Sequence, residues 1–346
     1  MKDRLEGQPR LGGKDWFPPK GRALGTAFYV RRDLPWLKHY LDLDELHSTV
    51  SPDIVGTFAW GGRIGPKIVK AIGRVRGLPH WHLEDGFLRS VALGKAGSMP
   101  LSIVADDLGL SVDASRETRL ERLIVQADAA AEEKGAAIRD AIVRHRLSKY
   151  NHLPHLSPDI PTGNGRRRLL LIDQVVGDVS VGYSMGSAAS FEQMLDDAVA
   201  SGAQCIVRSH PDVIAGYRKG YMTEAASKRP GVIVFADPVS VDSVLSVADE
   251  VWTVASQFGF DALLRNIPVR CYAAPFYSGW GLTEDRMSSS ARRIIAGRRT
   301  IRRSVDHLAV AGFLHYPLYR DPSTWAEIDV FRAIDLILEG QAGQNR

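Results

Sequence analysis

Short apolar runs alternate with amphipathic helical stretches along most of this chain, and a segment rich in proline and glycine interrupts the alternation near the middle. Each apolar run is six to eight residues long, as in 23–30, 53–60, 78–85 and 101–107 before the interruption and 168–173, 204–209, 231–237, 250–256 and 269–275 after it. Such alternation is typical of parallel sheets that carry helices on both faces. The sequence therefore predicts an α/β fold with two Rossmann-like domains.

The interruption at 152–168 holds three prolines and two glycines and breaks every period, so we place the domain boundary there. We predict an N-terminal domain over 23–155 and a C-terminal domain over 165–303, a division that suits a chain of 346 residues. Residues 1–22 have no periodicity and are expected to form a flexible lead. Residues 304–346 have a helical pattern and are expected to form a helical C-terminal segment.

The composition is that of an ordinary soluble globular protein, with 45% hydrophobic and 24% charged residues. No apolar run approaches the about 18 residues of a membrane helix, and the first residues lack the apolar core of a secretory signal. We therefore expect a cytoplasmic protein. Six arginines within Arg292–Arg303 leave open two interpretations, a surface for anionic lipid or acidic glycan and a solvated helix face. No aromatic residues alternate with these arginines, and no nucleic-acid partner is expected.

Sequence motifs for metals and for nucleotide phosphates are missing or incomplete. Cys205 and Cys271 lie inside apolar strand-like runs, so we expect both to be buried, reduced thiols. No spacing of cysteine and histidine suits zinc, and neither a phosphate-binding loop nor a full dinucleotide fingerprint occurs. Asp42 and Asp44 have the spacing of a metal-binding Asp-x-Asp motif, but their polar surroundings favour solvated surface. The sequence therefore predicts no metal site.

Polar residues follow nearly every predicted strand at its carboxyl end, which is where open parallel sheets bind ligands. In the second half these are Asp173, Gln174, Ser209, His210, Asp237, Ser256 and Gln257; in the first half they are Glu84, Asp85 and Asp106, and the same edge also holds Trp60 and Gly86. Two such edges that face each other across a linker would enclose a cleft, and small-molecule sites are common between domains. We therefore predict a ligand site in a cleft between the two domains.

Three residues at these strand ends are candidates for chemistry, each with a structural alternative. Asp173 can serve as nucleophile or base at a strand end, or it can simply cap a loop. His210 precedes a proline that restricts its backbone, and it can donate to a phosphate or be a structural histidine. Glu84 and Asp85 are adjacent, so in a strand they point to opposite faces and only one can face a cleft. The residues alone do not decide between these alternatives.

Six ordered motifs resemble those of the capsule polysaccharide β-Kdo transferases of the KpsC/LipB type. The matching runs are LEDGFLRSVALG (83–94), DQVVGDVSV (173–181), SHPDV (209–213), GYRKGY (216–221), ASQFGFDALLRNIPVRCYAAPFYSGWGLTEDR (255–286) and HYPLYRDP (315–322). They extend over about residues 55–335 in the right order. The resemblance implies two domains in a GT-B-type arrangement with an inter-domain cleft.

The resemblance also implies an activity. The donor would be CMP-β-Kdo, with no metal and no further cofactor, and transfer would proceed with retention of configuration. The acceptor would be a lipid-linked Kdo oligosaccharide at the cytoplasmic face of the inner membrane, where the capsule assembly machinery would be a partner. Retention fits a double displacement by one carboxylate with a second carboxylate for proton transfer.

The resemblance implies roles for individual residues. Asp173 would be the nucleophile that forms a covalent Kdo adduct, Glu84 the acid/base toward the acceptor, and His210 the group that stabilises the departing CMP phosphate. The CMP site would be lined by Arg208, Ser209, Ser256, Gln257, Gly259 and Asp261. The sugar substrates would contact Trp60, Asp85, Gly86, Arg89 and Gln174. Because Kdo carries a carboxylate, Arg89 or Arg208 would be its natural partner.

The sequence departs from the family pattern in ways that leave other functions open. KpsC proteins often carry two such modules in tandem, whereas this chain has room for one, and Asp261 stands where a glutamate is expected. The alternatives are another GT-B-fold transferase or a nucleotide-sugar epimerase, and a non-catalytic capsule assembly or export protein. Against the last stands the presence of Glu84, Asp173 and His210 in their motifs.

Overall fold

The computed structural model describes residues 14–62, 64–92, 98–161, 163 and 165–344. The described chain divides into two compact units. The first consists of the residues up to 111, of 117–123 and of those from 311 onward, and the second consists of 112–116 and 124–310.

The strands and helices are numbered along the chain. The strands are β1 (Leu24–Thr26), β2 (His47–Ser48), β3 (Gly56–Trp60), β4 (His80–Asp85), β5 (Ser102–Asp106), β6 (Arg168–Ile172), β7 (Gln204–Arg208), β8 (Val232–Phe235), β9 (Glu250–Thr253), β10 (Val269–Cys271), β11 (Glu284–Asp285), β12 (Pro317–Arg320) and β13 (Glu327–Ile328). The helices are α1 (Phe28–Asp33), α2 (Leu37–Tyr40), α3 (Ile64–Val75), α4 (Arg119–Gln126), α5 (Ala129–Arg144), α6 (Val179–Tyr183), α7 (Ala188–Ala200), α8 (Pro211–Ile214), α9 (Thr223–Ser227), α10 (Val241–Leu245), α11 (Phe258–Leu264), α12 (Ser289–Ala296), α13 (Val305–Ala309) and α14 (Val330–Gln344), with a π-helical turn at Val310–His315.

The first unit is built on a seven-stranded sheet of the described residues, in the order β13-β12-β5-β4-β3-β1-β2. Strands β2, β1, β3 and β4 run parallel to one another. Strand β5 is antiparallel to β4, β12 is antiparallel to β5, and β13 is antiparallel to β12. Alternate residues of β4 and β5, such as Trp81, Leu83 and Ile103, are buried in one apolar cluster together with Leu37 of α2. The pleat therefore leaves the intervening residues of β4 on the other face.

The second unit contains a fully parallel sheet with the order β8-β7-β6-β9-β10-β11. Counted from the first strand of the unit, this is the 3-2-1-4-5-6 order of the Rossmann fold. One face packs against α7, where Phe191 and Met194 contact Leu171 and Trp252 within a single core cluster. Two α/β units with mostly parallel sheets confirm the predicted fold class.

The ends of the chain differ from the expectation. The 304–346 segment was predicted to be helical, but it also supplies β12 and β13, and β12 pairs with β5. Tyr316, just before β12, donates a hydrogen bond to the buried Asp106 at 2.9 Å. At the other end, residues 1–13 of the predicted flexible lead lie outside the described residues, and Phe17 is fully buried. Trp16 accepts a hydrogen bond from the Trp81 indole at 2.7 Å, so tertiary contacts fix this part of the lead.

The arginines of 292–303 mainly donate to backbone carbonyls. Arg299 is buried and donates to the carbonyls of Pro275 and Ser278 at 2.7 and 2.8 Å, and Arg298 donates to that of Ala114 at 2.7 Å. Much of the cluster therefore stabilises turns of the second unit. Cys205 and Cys271 are free and buried, as predicted. None of the helices in the described parts of the chain combines the length and hydropathy of a membrane span.

Candidate active site

The order of the second sheet reverses between β6 and β9, and parallel sheets bind ligands outside the strand ends at such a switch point. Gln174, directly after β6, joins the two sides of this point. Its Oε1 accepts a hydrogen bond from the Ala255 amide at 3.0 Å, and its Nε2 donates to Asp178 and Ser180 at 3.1 Å each. The predicted substrate-binding residue Gln174 thus lies at the expected edge and uses its amide to hold the surrounding loops in place.

Asp173 lies at the end of β6, as predicted, and its carboxylate is surrounded by donors. Oδ1 accepts from the amides of Gln174 and Met222 at 2.8 and 3.0 Å. Oδ2 accepts from the amide and the hydroxyl of Thr223 at 2.9 and 2.5 Å. A carboxylate offers about four lone-pair positions, and all are in use here. Asp173 therefore anchors the start of α9 as well as standing at the strand end.

Gly220 allows the loop before α9 to approach Asp173. A Cβ at this glycine would lie 2.2 Å from Asp173 Oδ2, so no side chain fits. The hydroxyl of Thr223 also lies 2.7 Å from the hydroxyl of Ser209, which is buried. Thr223 therefore has a second hydrogen-bond partner beside the carboxylate. Sequence reasoning missed Thr223, because it lies 50 residues from Asp173 and its type carries no signal.

His210 follows β7 and is half exposed, with 49% of its side chain accessible. Its Nδ1 accepts a hydrogen bond from the Asp212 amide at 3.1 Å. An accepting Nδ1 has no proton, so the neutral ring carries its proton on Nε2. The Asp212 carboxylate lies 3.8 Å from Nδ1. His210 thus combines an accessible imidazole with a defined tautomer at the sheet edge.

Arg208 is the last residue of β7, and only 8% of it is exposed. Its guanidinium lies over the Phe235 ring, 4.9 Å from the centroid. Burial lowers the pKa of Arg208 to about 10, although Asp237 acts in the opposite direction. Nη1 is buried and has no hydrogen-bond partner among the described residues. The predicted anion-binding arginine is therefore a desolvated cation at the sheet edge.

Ser256 and Gln257 occupy the turn between β9 and α11, as predicted. The Ser256 hydroxyl accepts from the Phe258 amide at 3.3 Å, and the Ser256 carbonyl accepts from the Tyr277 hydroxyl at 2.6 Å. Gly259 lies within α11 and not in the turn. A Cβ there would be 2.3 Å from the Tyr277 hydroxyl, so the glycine makes room for Tyr277.

Asp261 faces the interior from α11 and is 4% exposed. Burial raises its pKa to about 6, an effect that Arg265 and Lys149 partly offset. Arg265 itself is held by Asp242 at 2.9 Å and donates to the Asp261 carbonyl at 3.1 Å. A buried carboxyl of this kind can bind hydroxyl groups, the chemistry expected for a ribose contact.

In the first unit, Glu84 lies on the face of β4 opposite the apolar cluster, because Leu83 before it is buried in that cluster. Tyr29 is near enough for burial and the Glu84 charge together to raise the tyrosine pKa. The Tyr29 hydroxyl donates to the carbonyl of Trp60 at 2.9 Å, and a Cβ on Gly61 would lie 3.8 Å from Glu84 Oε2. Glu84 is therefore grouped with Tyr29 and Gly61 at the carboxyl ends of β3 and β4.

Asp85 and Arg89 form an ion pair with 2.8 Å between Oδ1 and Nε, and their side chains are 14% and 7% exposed. Arg89 also donates to the hydroxyl of Ser90 and the carbonyl of Ser98. Arg89, the predicted substrate-binding arginine, therefore has internal partners in this loop. Asp85 points away from the Glu84 side and stabilises the loop after β4.

The two remaining predicted substrate residues of the first unit also have structural contacts. A Cβ on Gly86 would lie 2.1 Å from the Ser102 hydroxyl, so the glycine permits close approach of β5. The ring of Trp60 packs edge-on against Trp36 with 5.6 Å between centroids, beside the core cluster of the unit. Packing thus explains the glycine at position 86 and the tryptophan at position 60. Glu84 is a carboxylate at this edge that lies outside the core.

Residues 58–319 match the family described as "Capsule polysaccharide biosynthesis protein". The chain is 38% identical over 285 residues to the capsule polysaccharide modification protein LipA of Neisseria meningitidis serogroup B, in a match that covers 80% of this chain and 40% of LipA. It is 33% identical over 318 residues to the lipopolysaccharide-processing protein LpsZ of Rhizobium meliloti, with 88% of this chain and 68% of LpsZ covered. The chain thus spans less than half the length of LipA.

Two solved structures from Thermosulfurimonas dismutans are similar to this one. The first, named KpsC, beta Kdo 2,4 transferase, gives a TM-score of 0.82 with 31% identity, over 92% of this chain and 98% of that chain. The second, named KpsC, beta Kdo 2,7 transferase, gives a TM-score of 0.67 with 22% identity, over 93% of this chain and 99% of that chain, and supports the fold alone. Sequence and structure agree that this chain belongs to the capsule polysaccharide biosynthesis protein family.

Proposed function

We propose that this protein is a retaining β-Kdo glycosyltransferase. It moves Kdo from CMP-β-Kdo to a lipid-linked Kdo acceptor during synthesis of a capsular or other surface polysaccharide. The observation that carries the proposal is the similarity, over 92% of the chain, to the KpsC structure named a beta Kdo 2,4 transferase. The transfer takes place at the cytoplasmic face of the inner membrane, beside the capsule assembly machinery. It uses CMP-β-Kdo as the donor substrate and needs no cofactor.

The reaction uses two displacements at the anomeric carbon of Kdo. Asp173 attacks that carbon, the bond to the phosphate oxygen breaks, and CMP leaves with the electron pair. The acceptor hydroxyl then attacks the same carbon, its proton passes to Glu84, and the bond to Asp173 breaks. Two inversions give net retention.

The contacts of Asp173 set a condition on the first step. All four of its lone-pair positions accept hydrogen bonds, two of them from Thr223, so Oδ2 must release one donor before it can attack. The Thr223 hydroxyl is the donor that can turn away, because the Ser209 hydroxyl lies 2.7 Å from it. This exchange leaves the backbone donors to hold the carboxylate in place.

Proton transfer is assigned to Glu84 and not to Asp85. Asp85 is held in a largely buried ion pair with Arg89, so its carboxylate is engaged within the protein. Glu84 lies on the other face of β4, beside Tyr29 and Gly61. The side chain outside the ion pair is the one suited to take the acceptor proton.

Charge that develops on the leaving phosphate is stabilised by His210. The neutral ring carries its proton on Nε2, and this exposed N–H group can donate a hydrogen bond to a phosphate oxygen. Ser256 and Gln257 at the β9–α11 turn belong to the same donor site, and Asp261 is assigned to the ribose hydroxyls. These assignments keep the nucleotide at the edge of the second sheet.

The covalent step is tested by intact-mass analysis after incubation with CMP-Kdo in the absence of acceptor. We expect an adduct of one Kdo residue, and protease digestion should locate it on the peptide that contains Asp173. In Asp173→Asn the adduct should be absent while CMP still binds, with circular dichroism as the control for folding. An adduct on another residue, or unchanged transfer by Asp173→Asn, would refute the nucleophile assignment.

A further inference from the structure

The outward face of α3, in the first unit, combines cations with exposed aliphatic side chains. Its exposed residues lie at helix positions i, i+1, i+4, i+7 and i+8 and form one stripe, which we call the α3 stripe: Lys67, Ile68, Ala71, Arg74 and Val75. Val75 is 89% exposed and Ile68 is 55% exposed. Single exposed aliphatic residues are common at protein surfaces, but two of them within one cationic stripe indicate an interaction surface.

The charge of this part of the chain has one sign. No acidic residue occurs between positions 54 and 83, whereas α3 contains Lys67, Lys70 and Arg74, and Arg76 follows the helix directly. The face opposite the stripe packs against the sheet, because a Cβ on Gly73 would lie 2.4 Å from the Thr57 hydroxyl. A helix that turns cations outward without acidic neighbours attracts anionic surfaces.

The loop after β2 extends the apolar part of this surface. Arg76 donates hydrogen bonds to the carbonyls of Thr49 and Pro52 at 2.6 and 3.5 Å. Val50, which lies between these two residues in the sequence, is 73% exposed. Asp53 is the acidic residue of this loop and is also exposed. The Arg76 contacts therefore bring an exposed valine close to the end of the helix at Val75.

The start of α3 lies beside the carboxyl ends of β3 and β4, where Glu84 is found. A Cβ on Gly61, three residues before the helix, would lie 3.8 Å from Glu84 Oε2. A Cβ on Gly65, in the first turn of α3, would lie 3.1 Å from the ring of Tyr29. A membrane in contact with α3 would thus pass near the edge that holds Glu84. This arrangement suits an acceptor whose lipid end stays in the membrane.

We propose that the α3 stripe, together with Val50, binds an anionic phospholipid surface. Lys67 and Arg74 contact lipid phosphates, and Ile68 and Val75 enter the headgroup region. The inference deepens the proposed function, on which it rests for the lipid-linked acceptor, by assigning the surface that meets the membrane. Aliphatic side chains between cations match the boundary between phosphates and acyl chains, whereas an acidic protein surface would match the charge alone.

Vesicle sedimentation tests this inference with phosphatidylcholine alone and with an equal mixture of phosphatidylcholine and phosphatidylglycerol. The wild type should bind the mixed vesicles more tightly, and added salt should weaken that binding. Each Lys or Arg near an anionic membrane strengthens binding about fivefold, so Lys67→Gln with Arg74→Gln should weaken it about 30-fold. Ile68→Ser with Val75→Ser should weaken binding about tenfold through the loss of apolar contact.

Arg292→Gln with Arg293→Gln is the matched control. Both arginines are exposed on α12, and their replacement changes the net charge by the same amount as the Lys67 and Arg74 pair. The control should bind mixed vesicles like the wild type, with circular dichroism as the test of folding for every variant. Binding that is lost in the control but kept in the α3 variants would overturn the inference. Absence of wild-type binding to mixed vesicles would also overturn it and would favour an acidic protein as the partner.

CMP release separates this inference from the proposed function. With a Kdo-terminated lipid in mixed vesicles, Lys67→Gln with Arg74→Gln should raise KM for the acceptor and leave kcat unchanged. With a short, water-soluble Kdo glycoside, the variant should equal the wild type. Equal KM values for the vesicle acceptor in variant and wild type would contradict the membrane role of α3. If the wild type bound mixed vesicles but transferred Kdo to neither acceptor, the proposed function would fail and the lipid surface would stand.

Discussion

The adjacent carboxylates Glu84 and Asp85 should respond to substitution in opposite ways. In Asp85→Asn, Arg89 loses its ion-pair partner at 2.8 Å while its side chain remains 7% exposed. Removal of one partner from a buried pair costs about 3–5 kcal/mol. Arg89 keeps its bonds to Ser90 and Ser98, so we expect the lower end, about 3 kcal/mol of unfolding free energy. Glu84 is not a member of the Asp85–Arg89 pair, and Glu84→Gln keeps the shape of the side chain, so it should change stability by about 0.5 kcal/mol or less.

Urea titrations followed by circular dichroism measure the stability of both variants, and CMP release with a Kdo-terminated acceptor measures transfer. Glu84→Gln should abolish transfer with normal stability, whereas Asp85→Asn should retain transfer in the fraction that is folded. The reasoning would be refuted if Asp85→Asn were as stable as the wild type, or if Glu84→Gln were active and Asp85→Asn inactive at equal stability.

Substitutions at three further positions test contacts inside the two units. Thr223→Val removes a hydroxyl donor to Asp173 and should lower stability by about 2 kcal/mol in urea titration, whereas Thr223→Ser should lose less than half of that. Gly259→Ala places a Cβ 2.3 Å from the Tyr277 hydroxyl and should cost about 2 kcal/mol by thermal unfolding; an equally stable variant would contradict the close contact. Burial raises the pKa of Asp106 to about 6 from 3.8, so its contribution to stability is greatest below pH 4 and falls as the pH rises through 6. Between pH 4 and 7 the wild type should lose about 2 kcal/mol relative to Asp106→Asn, and parallel pH profiles would contradict this.

The strands of both sheets could be predicted where a local run of apolar residues by itself indicated a strand. The run at 168–173 became β6, because strands buried on both faces consist of near-continuous apolar residues. The run at 78–85 became β4, in which buried Trp81 and Leu83 alternate with partly exposed residues. β12 and β13 were missed, since they are short and one turn separates them from a helical pattern. The strand geometry of β12 depends on pairing with β5, a partner more than 200 residues earlier in the sequence, and β13 in turn pairs with β12.

The candidate site could be located from sequence only at the level of strand ends. Alternation along β4 predicted that Glu84 and Asp85 lie on opposite faces, and the structure has them so. The identity of the partners could not be predicted, because Asp173 is bound by Met222 and Thr223 across about 50 residues of chain. In the same way, position 259 is a glycine because Tyr277 lies close to it, and no local sequence pattern encodes this contact.

The most direct test of Kdo transfer is to mix the purified protein with CMP-Kdo and a synthetic lipid that ends in Kdo. We expect CMP release in step with formation of a product that is heavier than the acceptor lipid by one Kdo residue. We expect NMR to show the β configuration in the new linkage. Absence of CMP release with every Kdo-terminated acceptor, or a product of the opposite anomeric configuration, would contradict the proposed function.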